Sequence, residues 1–217
     1  MAFKGFPAEA IEFFEGLEAD NSKAYWQDHK DTYESCVRVP MQELLAELTP
    51  EFGSGKVFRP YRDVRFSKDK TPYKTNIAAT IGDVGYISLS TEGLGVGSGM
   101  YMMATDQLDR FRKAIVDDKT GAELEALIAA TGKACLEVSA HEVLKTAPKG
   151  YAKDHPRIEL LRHKGLITWR QWPVAAWLGT KKAKDRVVHV LHDAQPLNDW
   201  LAKHVGDSEL PDGGWGR

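Results

Sequence analysis

The spacing of apolar residues changes twice along this chain, and that change constrains the fold more than any other feature of the sequence. In the first quarter, apolar residues recur at helical spacing, both in residues 7–17 and in MQELLAELTPEF. The next stretch has a period of two, which is typical of strands. Most of the remaining chain returns to helical spacing. Helices followed by strands and then helices predict an α+β fold, not the alternating order of a doubly wound sheet.

Four segments with a period of two predict an antiparallel meander: VFRPYRDVRF, TNIAATIG, GYISLST and LGVGSGMYMM. A further strand is expected at GLITWRQWP. Among the helices, SKAYWQDHKDTYESC has either Asn21 or Ser22 as its N-cap. In the last apolar segment, DRVVHVLHDAQPLNDWLAKHVG, Pro196 predicts a break into two helices.

The length and composition predict one α+β domain over residues 1–217, with N-terminal helices, a central sheet and C-terminal helices packed on it. A chain of 217 residues that is 42% hydrophobic has enough apolar surface for a core. Cys36 and Cys135 lack the clustered spacing of a zinc site or a disulfide scaffold. No segment approaches the roughly 20 apolar residues of a membrane span, so we expect no membrane association and a cytoplasmic location.

Residues 59–74, RPYRDVRFSKDKTPYK, form a basic island in an acidic chain. Six basic and two acidic side chains give this window a charge of +4, whereas the chain carries −2, so all other residues together carry −6. Such an island can attract a small anion locally although the chain as a whole cannot. Nucleic acid is a less favoured partner because the remaining −6 would repel a long polyanion.

A strand over residues 57–67 would place Arg62 among apolar side chains, where a guanidinium needs a partner, most plausibly a carboxylate. Asp63 and Arg65 would lie about 6.6 Å apart on the other face, close enough for their side chains to meet. Arginine binds phosphate and carboxylate as a two-pronged donor, and lysine acts as an adaptable point charge. The predicted ligand-binding residues are Arg59, Arg62, Asp63, Arg65, Lys70, Tyr73 and Lys74, with Tyr73 at the rim.

Two interpretations of the island stay open. In the first, it binds a small phosphate- or carboxylate-bearing ligand, with or without enzymatic activity. In the second, the Arg/Asp cluster is a structural ion-pair network in a non-enzymatic interaction module. No cofactor is expected, and the sequence leaves the oligomeric state undetermined.

Other clusters favour structural roles. His189, His192 and Asp193 could share one helical surface, but a solvated face is favoured over a metal site, and no metal is predicted. Alternate glycines in TEGLGVGSGMY leave one strand face bare, which favours packing of an aromatic ring there over ligand approach. Similarly, helical spacing favours a core role over the stacking of a ligand ring for Tyr25, Trp26, His29 and Tyr33.

The island also carries a family signature. The pattern R-x-x-R-D-x-R-F-x-x-D-K-x-P-Y-K, with ADNSKAYW, Y-E-x-x-V-x-x-P at 33–40 and K-G-Y-x-x-D-H-P at 149–156, resembles a family of bacterial conserved hypothetical proteins. That family, a domain of unknown function, also occurs sparsely in eukaryotes. The resemblance covers nearly the whole chain, although Ser22 stands where the family often has a second Asn. It implies a one-domain intracellular protein and transfers no activity, cofactor or substrate.

Overall fold

The computed structural model describes residues 2–65 and 68–211. The chain packs into two compact units, the first built from residues up to 96 with 171–189 and the second from 97–170 with 190 onward. The long last helix and two strands pass from one unit into the other. The single domain expected from the sequence stays a prediction.

The first unit begins with helices. These are α1 (Ala8–Ala19), α2 (Lys23–Asp28), α3 (Lys30–Thr32), a π-helix (Tyr33–Arg38) and α4 (Val39–Phe52). Ser22 is the N-cap of α2, because its hydroxyl accepts the N–H of Tyr25 at 3.1 Å. The sequence predicted a single helix from Asn21 or Ser22. In the structure this helix is interrupted at His29, and the π-helix follows the short α3.

An antiparallel sheet follows the helices and confirms the α+β prediction. Its strands run in the order β1-β2-β3-β4-β6-β5. The antiparallel register pairs Val57 with Ala79, Ile77 with Leu89, and Glu137 with Trp169. The strands are β1 (Gly55–Val57), β2 (Asn76–Ile81), β3 (Gly85–Ser90), β4 (Gly93–Met100), β5 (Glu137–Ser139) and β6 (Leu166–Trp172).

The strand predicted over residues 57–67 is wrong for residues 58–65, because β1 ends at Val57. Pro60 has no N–H to donate to a neighbouring strand, so the regular ladder ends and only a single bridge joins Tyr61 to Tyr73. Phe66 and Ser67, which the prediction placed at the end of this strand, lie outside the described residues.

The second unit contains α5 (Thr105–Val116), α6 (Asp118–Lys133), α7 (Ile158–Leu161) and the C-terminal half of α8 (Lys182–His204). The predicted break at Pro196 is wrong, since α8 is continuous through it. Leu197, Trp200 and Leu201 are almost fully buried on one face of α8. Burial contributes about 1.5–3 kcal/mol for each large apolar side chain, which outweighs the roughly 3 kcal/mol cost of an internal proline.

The bare face of β4 receives an aromatic ring, as the alternating glycines predicted. A Cβ added at Gly97 would lie 2.7 Å from the ring of Trp169. Any larger residue would therefore displace that ring.

Among the helices of residues 2–65 and 68–211, none is both long and apolar enough to cross a membrane.

Candidate functional site: a basic and aromatic pocket beside β1

The chain that follows β1 forms an irregular hairpin that returns at β2. Phe58 donates its backbone N–H to Ala78 at 2.8 Å, which continues the β1–β2 pairing by one bond. Further out, the N–H of Arg62 bonds to the carbonyl of Pro72 at 2.9 Å, and that of Lys74 to the carbonyl of Pro60 at 2.8 Å. We call residues 58–65 and 68–74 the basic hairpin. Its two arms are thus paired through a few backbone bonds and not through a regular ladder.

Asn21 attaches the basic hairpin to the helices of the first unit. Its side-chain amide donates to the carbonyl of Tyr73 at 3.1 Å and accepts the N–H of Tyr73 at 3.0 Å. The ring of Tyr73 stacks on that of Trp26, with centroids 4.4 Å apart and planes 7° from parallel. Tyr73 is therefore buried, at 6% exposure, and does not lie at the rim where we placed it. The sequence left Asn21 and Ser22 as alternative caps, but they have separate roles.

Two of the predicted ligand-binding residues bind each other. The guanidinium of Arg65 donates to both carboxylate oxygens of Asp63, at 2.9 and 2.6 Å, which confirms that these side chains meet. These bonds, with one from the N–H of Arg65, lower the pKa of Asp63 to about 2. Arg65 is 76% exposed, so this pair lies at the surface.

Arg62 also has a carboxylate partner, as predicted. Its guanidinium contacts Asp69 and the hydroxyl of Thr71. Asp69 accepts the N–H of Thr71 at 2.9 Å, and this bond together with Arg62 lowers the pKa of Asp69 to about 2. The outer part of the basic hairpin is consequently held together by its own charges.

The two lysines of the predicted set also interact within the basic hairpin. The ammonium of Lys70 donates to the carbonyl of Val64 at 2.9 Å. The ammonium of Lys74 lies 5.4 Å from the ring centroid of Phe58, a cation–π distance. Of the seven predicted residues, Arg59 alone lines the pocket described below.

Acid should weaken the outer part of the basic hairpin. The folded-state pKa values of Asp63 and Asp69 lie near 2, below an unfolded value of about 3.9. Their ion pairs therefore contribute fully to the stability of the hairpin above about pH 3.9, and this contribution is lost as the pH falls through about 2. Carboxyl titration by NMR should give midpoints near 2 for both residues. In Arg65→Ala, the midpoint of Asp63 should rise towards 3.9 while that of Asp69 stays low. Midpoints near 3.9 in the unaltered protein would contradict these ion pairs.

A pocket of about 630 Å³ lies between β1 and the helical segment that contains the π-helix. One wall is the chain from Lys56 to Tyr61. The opposite wall comes from α2, α3 and the π-helix, where residues recur at spacings of three and four and so share a face. A π-helix widens the helical turn and occurs often at functional sites. The lining residues are Trp26, Lys30, Tyr33, Glu34, Arg38, Lys56, Val57, Phe58, Arg59, Pro60 and Tyr61.

The pocket lining is basic. Among the described lining residues, four cations, Lys30, Arg38, Lys56 and Arg59, exceed one acid, Glu34, by three charges. Glu34 already binds Arg38 at 3.0 Å. Within the described part of the chain, no carboxylate oxygen lies within 4 Å of the charged groups of the other three cations. At longer range, an attraction between Arg59 and Asp63 helps to lower the pKa of that carboxyl. The pocket thus presents an excess of positive charge.

Aromatic side chains form the rest of the lining. Trp26 and Tyr33 are buried, with ring centroids 4.8 Å apart, which confirms the predicted core role for these two residues. Tyr25 is half-buried, and the core prediction is wrong for His29, which is exposed. Burial, and then the carboxylate of Glu34, raises the pKa of Tyr33 to about 12. This phenol therefore stays protonated at neutral pH. Phe58 and Tyr61, by contrast, are exposed.

Lys30, Arg38 and Lys56 line the pocket but were not among the predicted ligand-binding residues. A signal for two of them was present, because Lys30, Glu34 and Arg38 recur every four residues beside the stripe of Trp26 and Tyr33. In the regions the structure describes, no cluster of three or more His, Cys, Asp or Glu side chains could hold a metal ion.

Comparison with known proteins identifies the family of this chain and gives no activity. A family model described as "Conserved hypothetical protein (DUF2461)" matches residues 9–200. The chain also resembles the solved structure of a conserved hypothetical protein from Pyrococcus furiosus, with 14% identity and a TM-score of 0.35, over 75% of this chain and 92% of that one. No curated protein is significantly similar to this chain. The signature motif and a bacterial origin stay predictions.

Proposed function

Since this chain belongs to the DUF2461 family of conserved hypothetical proteins, and that membership brings no activity with it, we propose from the geometry that it binds a small phosphate- or carboxylate-bearing ligand in the pocket beside β1. Arg59 is the principal anion-binding residue, and Lys30 and Lys56 assist it. The observation that carries this proposal is the excess of three positive charges around one cavity of about 630 Å³.

The state of Arg59 supports its role. It is exposed and lines the pocket. Among the described residues no carboxylate lies within 4 Å of its guanidinium, and Asp63 interacts with it only at longer range. A guanidinium with free donors matches the two oxygens of a phosphate or carboxylate. Cavities of 300–1,000 Å³ are typical of small-molecule sites, and the cavity falls within this range.

The ion pairs in the outer part of the basic hairpin, residues 62–65 and 68–71, favour a structural role for the predicted residues that lie there. Arg62 and Arg65 already bind Asp69 and Asp63, so a ligand would have to displace a carboxylate to reach either guanidinium. This observation supports the structural-network interpretation for that part of the island. The two interpretations then apply to different residues and need not compete.

The proposal predicts that Arg59→Ala weakens anion binding about tenfold or more, because a hydrogen bond to a charged group contributes about 1.5–3 kcal/mol. Calorimetric titration with pyrophosphate and with citrate, at low ionic strength to limit screening, measures this loss. Arg65→Ala is the matched control, since Arg65 belongs to the same island but lies outside the pocket. It should bind as the unaltered protein does.

Two results would contradict the proposal. If neither pyrophosphate nor citrate binds the unaltered protein, the pocket is not an anion site. If Arg65→Ala loses binding and Arg59→Ala retains it, the ligand binds the outer hairpin instead.

A further inference from the structure

The pocket has more room than a small inorganic anion can fill. An inorganic phosphate occupies a minor fraction of about 630 Å³, so an anion held by Arg59 and Lys56 would leave most of the cavity to another part of the same ligand. The lining around that remaining space is aromatic. The ligand should therefore have a second, less polar part.

Two aromatic rings are left accessible in this lining. Phe58 is 37% and Tyr61 49% exposed, although both types of side chain usually bury most of their surface when they pack in a folded domain. Tyr61 contacts Trp26 and Tyr73 at tilted angles, with centroids 6.0 and 5.5 Å apart, and no ring among the residues that the structure describes stacks flat on it. A planar group of a ligand can therefore stack flat on the ring of Tyr61.

Ring and charge alternate within four residues. Phe58, Arg59 and Tyr61 follow one another along the same wall, with Pro60 restricting the backbone between them. An accessible ring beside an unpaired guanidinium suits a ligand in which a planar aromatic group is joined to an anion by a short linker. Stacking of a base on such a ring contributes about 1–3 kcal/mol in other proteins.

We infer that the pocket takes a phosphorylated ligand with a planar aromatic group, of the size of a mononucleotide. The phosphate lies against Arg59, Lys56 and Lys30, and the aromatic group stacks on Tyr61. This inference rests on the proposed function and adds to it the class of ligand. A single nucleotide fits better than a nucleic acid chain because residues outside the island carry a net −6, which repels a long polyanion.

Three probes separate the two parts of the ligand. Ribose 5-phosphate carries the anion without the base, adenosine carries the base without the anion, and AMP carries both. AMP should bind about fivefold or more tightly than ribose 5-phosphate, the lower end of the stacking contribution. Adenosine should bind more weakly than either phosphate. All three are titrated into the whole chain by calorimetry.

Variants test the assigned ring. Tyr61→Ala should reduce the affinity for AMP about fivefold or more and leave that for ribose 5-phosphate unchanged, whereas Arg59→Ala should weaken both. Tyr101→Ala is the matched control, because Tyr101 is also exposed, at 52%, and does not line the pocket. Tyr61→Phe keeps the ring and should restore binding of AMP, which separates stacking from a folding defect.

The outcomes are distinguishable. Binding of AMP and ribose 5-phosphate with equal affinity would overturn the inference and leave the proposed function standing. Binding of neither would overturn the inference, and the proposed function would fall with it only if pyrophosphate and citrate also failed to bind. Much tighter binding of a longer oligonucleotide than of AMP would overturn the assignment to a single nucleotide.

Discussion

Trp26→Ala is expected to lower the free energy of unfolding by about 3–5 kcal/mol, the usual cost of removing a large buried ring. Trp26 is only 5% exposed and stacks flat on Tyr73. It also contacts Phe13 and Tyr33, with ring centroids 5.9 and 4.8 Å away. Its removal would therefore leave a cavity between the helices and the basic hairpin. Urea unfolding followed by circular dichroism measures the loss.

The same substitution should also weaken anion binding in the pocket, because Trp26 lines the pocket and its ring packs against that of Tyr61, with centroids 6.0 Å apart. Trp177→Ala is a suitable control, since Trp177 is half-buried and lies outside the pocket. We expect a smaller loss of stability there and unchanged anion binding. If Trp26→Ala proved no more destabilising than Trp177→Ala, the ring would not have the core position described.

Asn21→Ala is expected to cost about 1–3 kcal/mol, because it leaves the backbone N–H and carbonyl of the buried Tyr73 without their partner. The loss should be concentrated in the basic hairpin. Amide hydrogen exchange should accelerate at Arg62 and Lys74, whose N–H groups join the two arms of the hairpin. Exchange measured by NMR resolves these two amides individually.

Ser22→Ala is the matched control for Asn21→Ala. It removes the N-cap of α2, at a cost of about 1 kcal/mol, without touching the hairpin. In Ser22→Ala, the amides of Arg62 and Lys74 should keep their protection from hydrogen exchange. Equal acceleration in both variants would mean that Asn21 acts only through the helix start and does not hold Tyr73.

The period of the apolar residues was enough to predict the fold class and most elements. Strands β2, β3 and β6 fall where alternation or apolar runs predict them, because one or both of their faces are buried. Two of the errors in the predicted elements occurred at prolines, where sequence gives a local preference and packing decides the outcome. At Pro196, burial of one face keeps α8 continuous. At Pro60, no comparable burial compensates for the missing donor, and the strand ends.

The candidate site was predictable only in part, for a related reason. The pairing of Asp63 with Arg65 is local, so strand geometry sufficed to predict the contact. The pocket instead joins Lys30 and Arg38 to Lys56 and Arg59, which are about twenty residues or more apart along the chain. Charge clustering in the sequence identified the island but not the opposite wall. That wall depends on how α2, α3 and the π-helix pack against the chain after β1.

The most direct test of the central claim is an amide NMR titration of the full chain with pyrophosphate. Binding in the pocket predicts concentration-dependent shifts at Lys56–Arg59 and Tyr61 and across residues 30–38, with amides at 68–71 little affected. In Arg59→Ala the same shifts should need about tenfold or more pyrophosphate to reach half of their full size. Shifts confined to the outer hairpin around Asp63, Arg65 and Asp69, or none at saturating pyrophosphate, would contradict an anion site in this pocket.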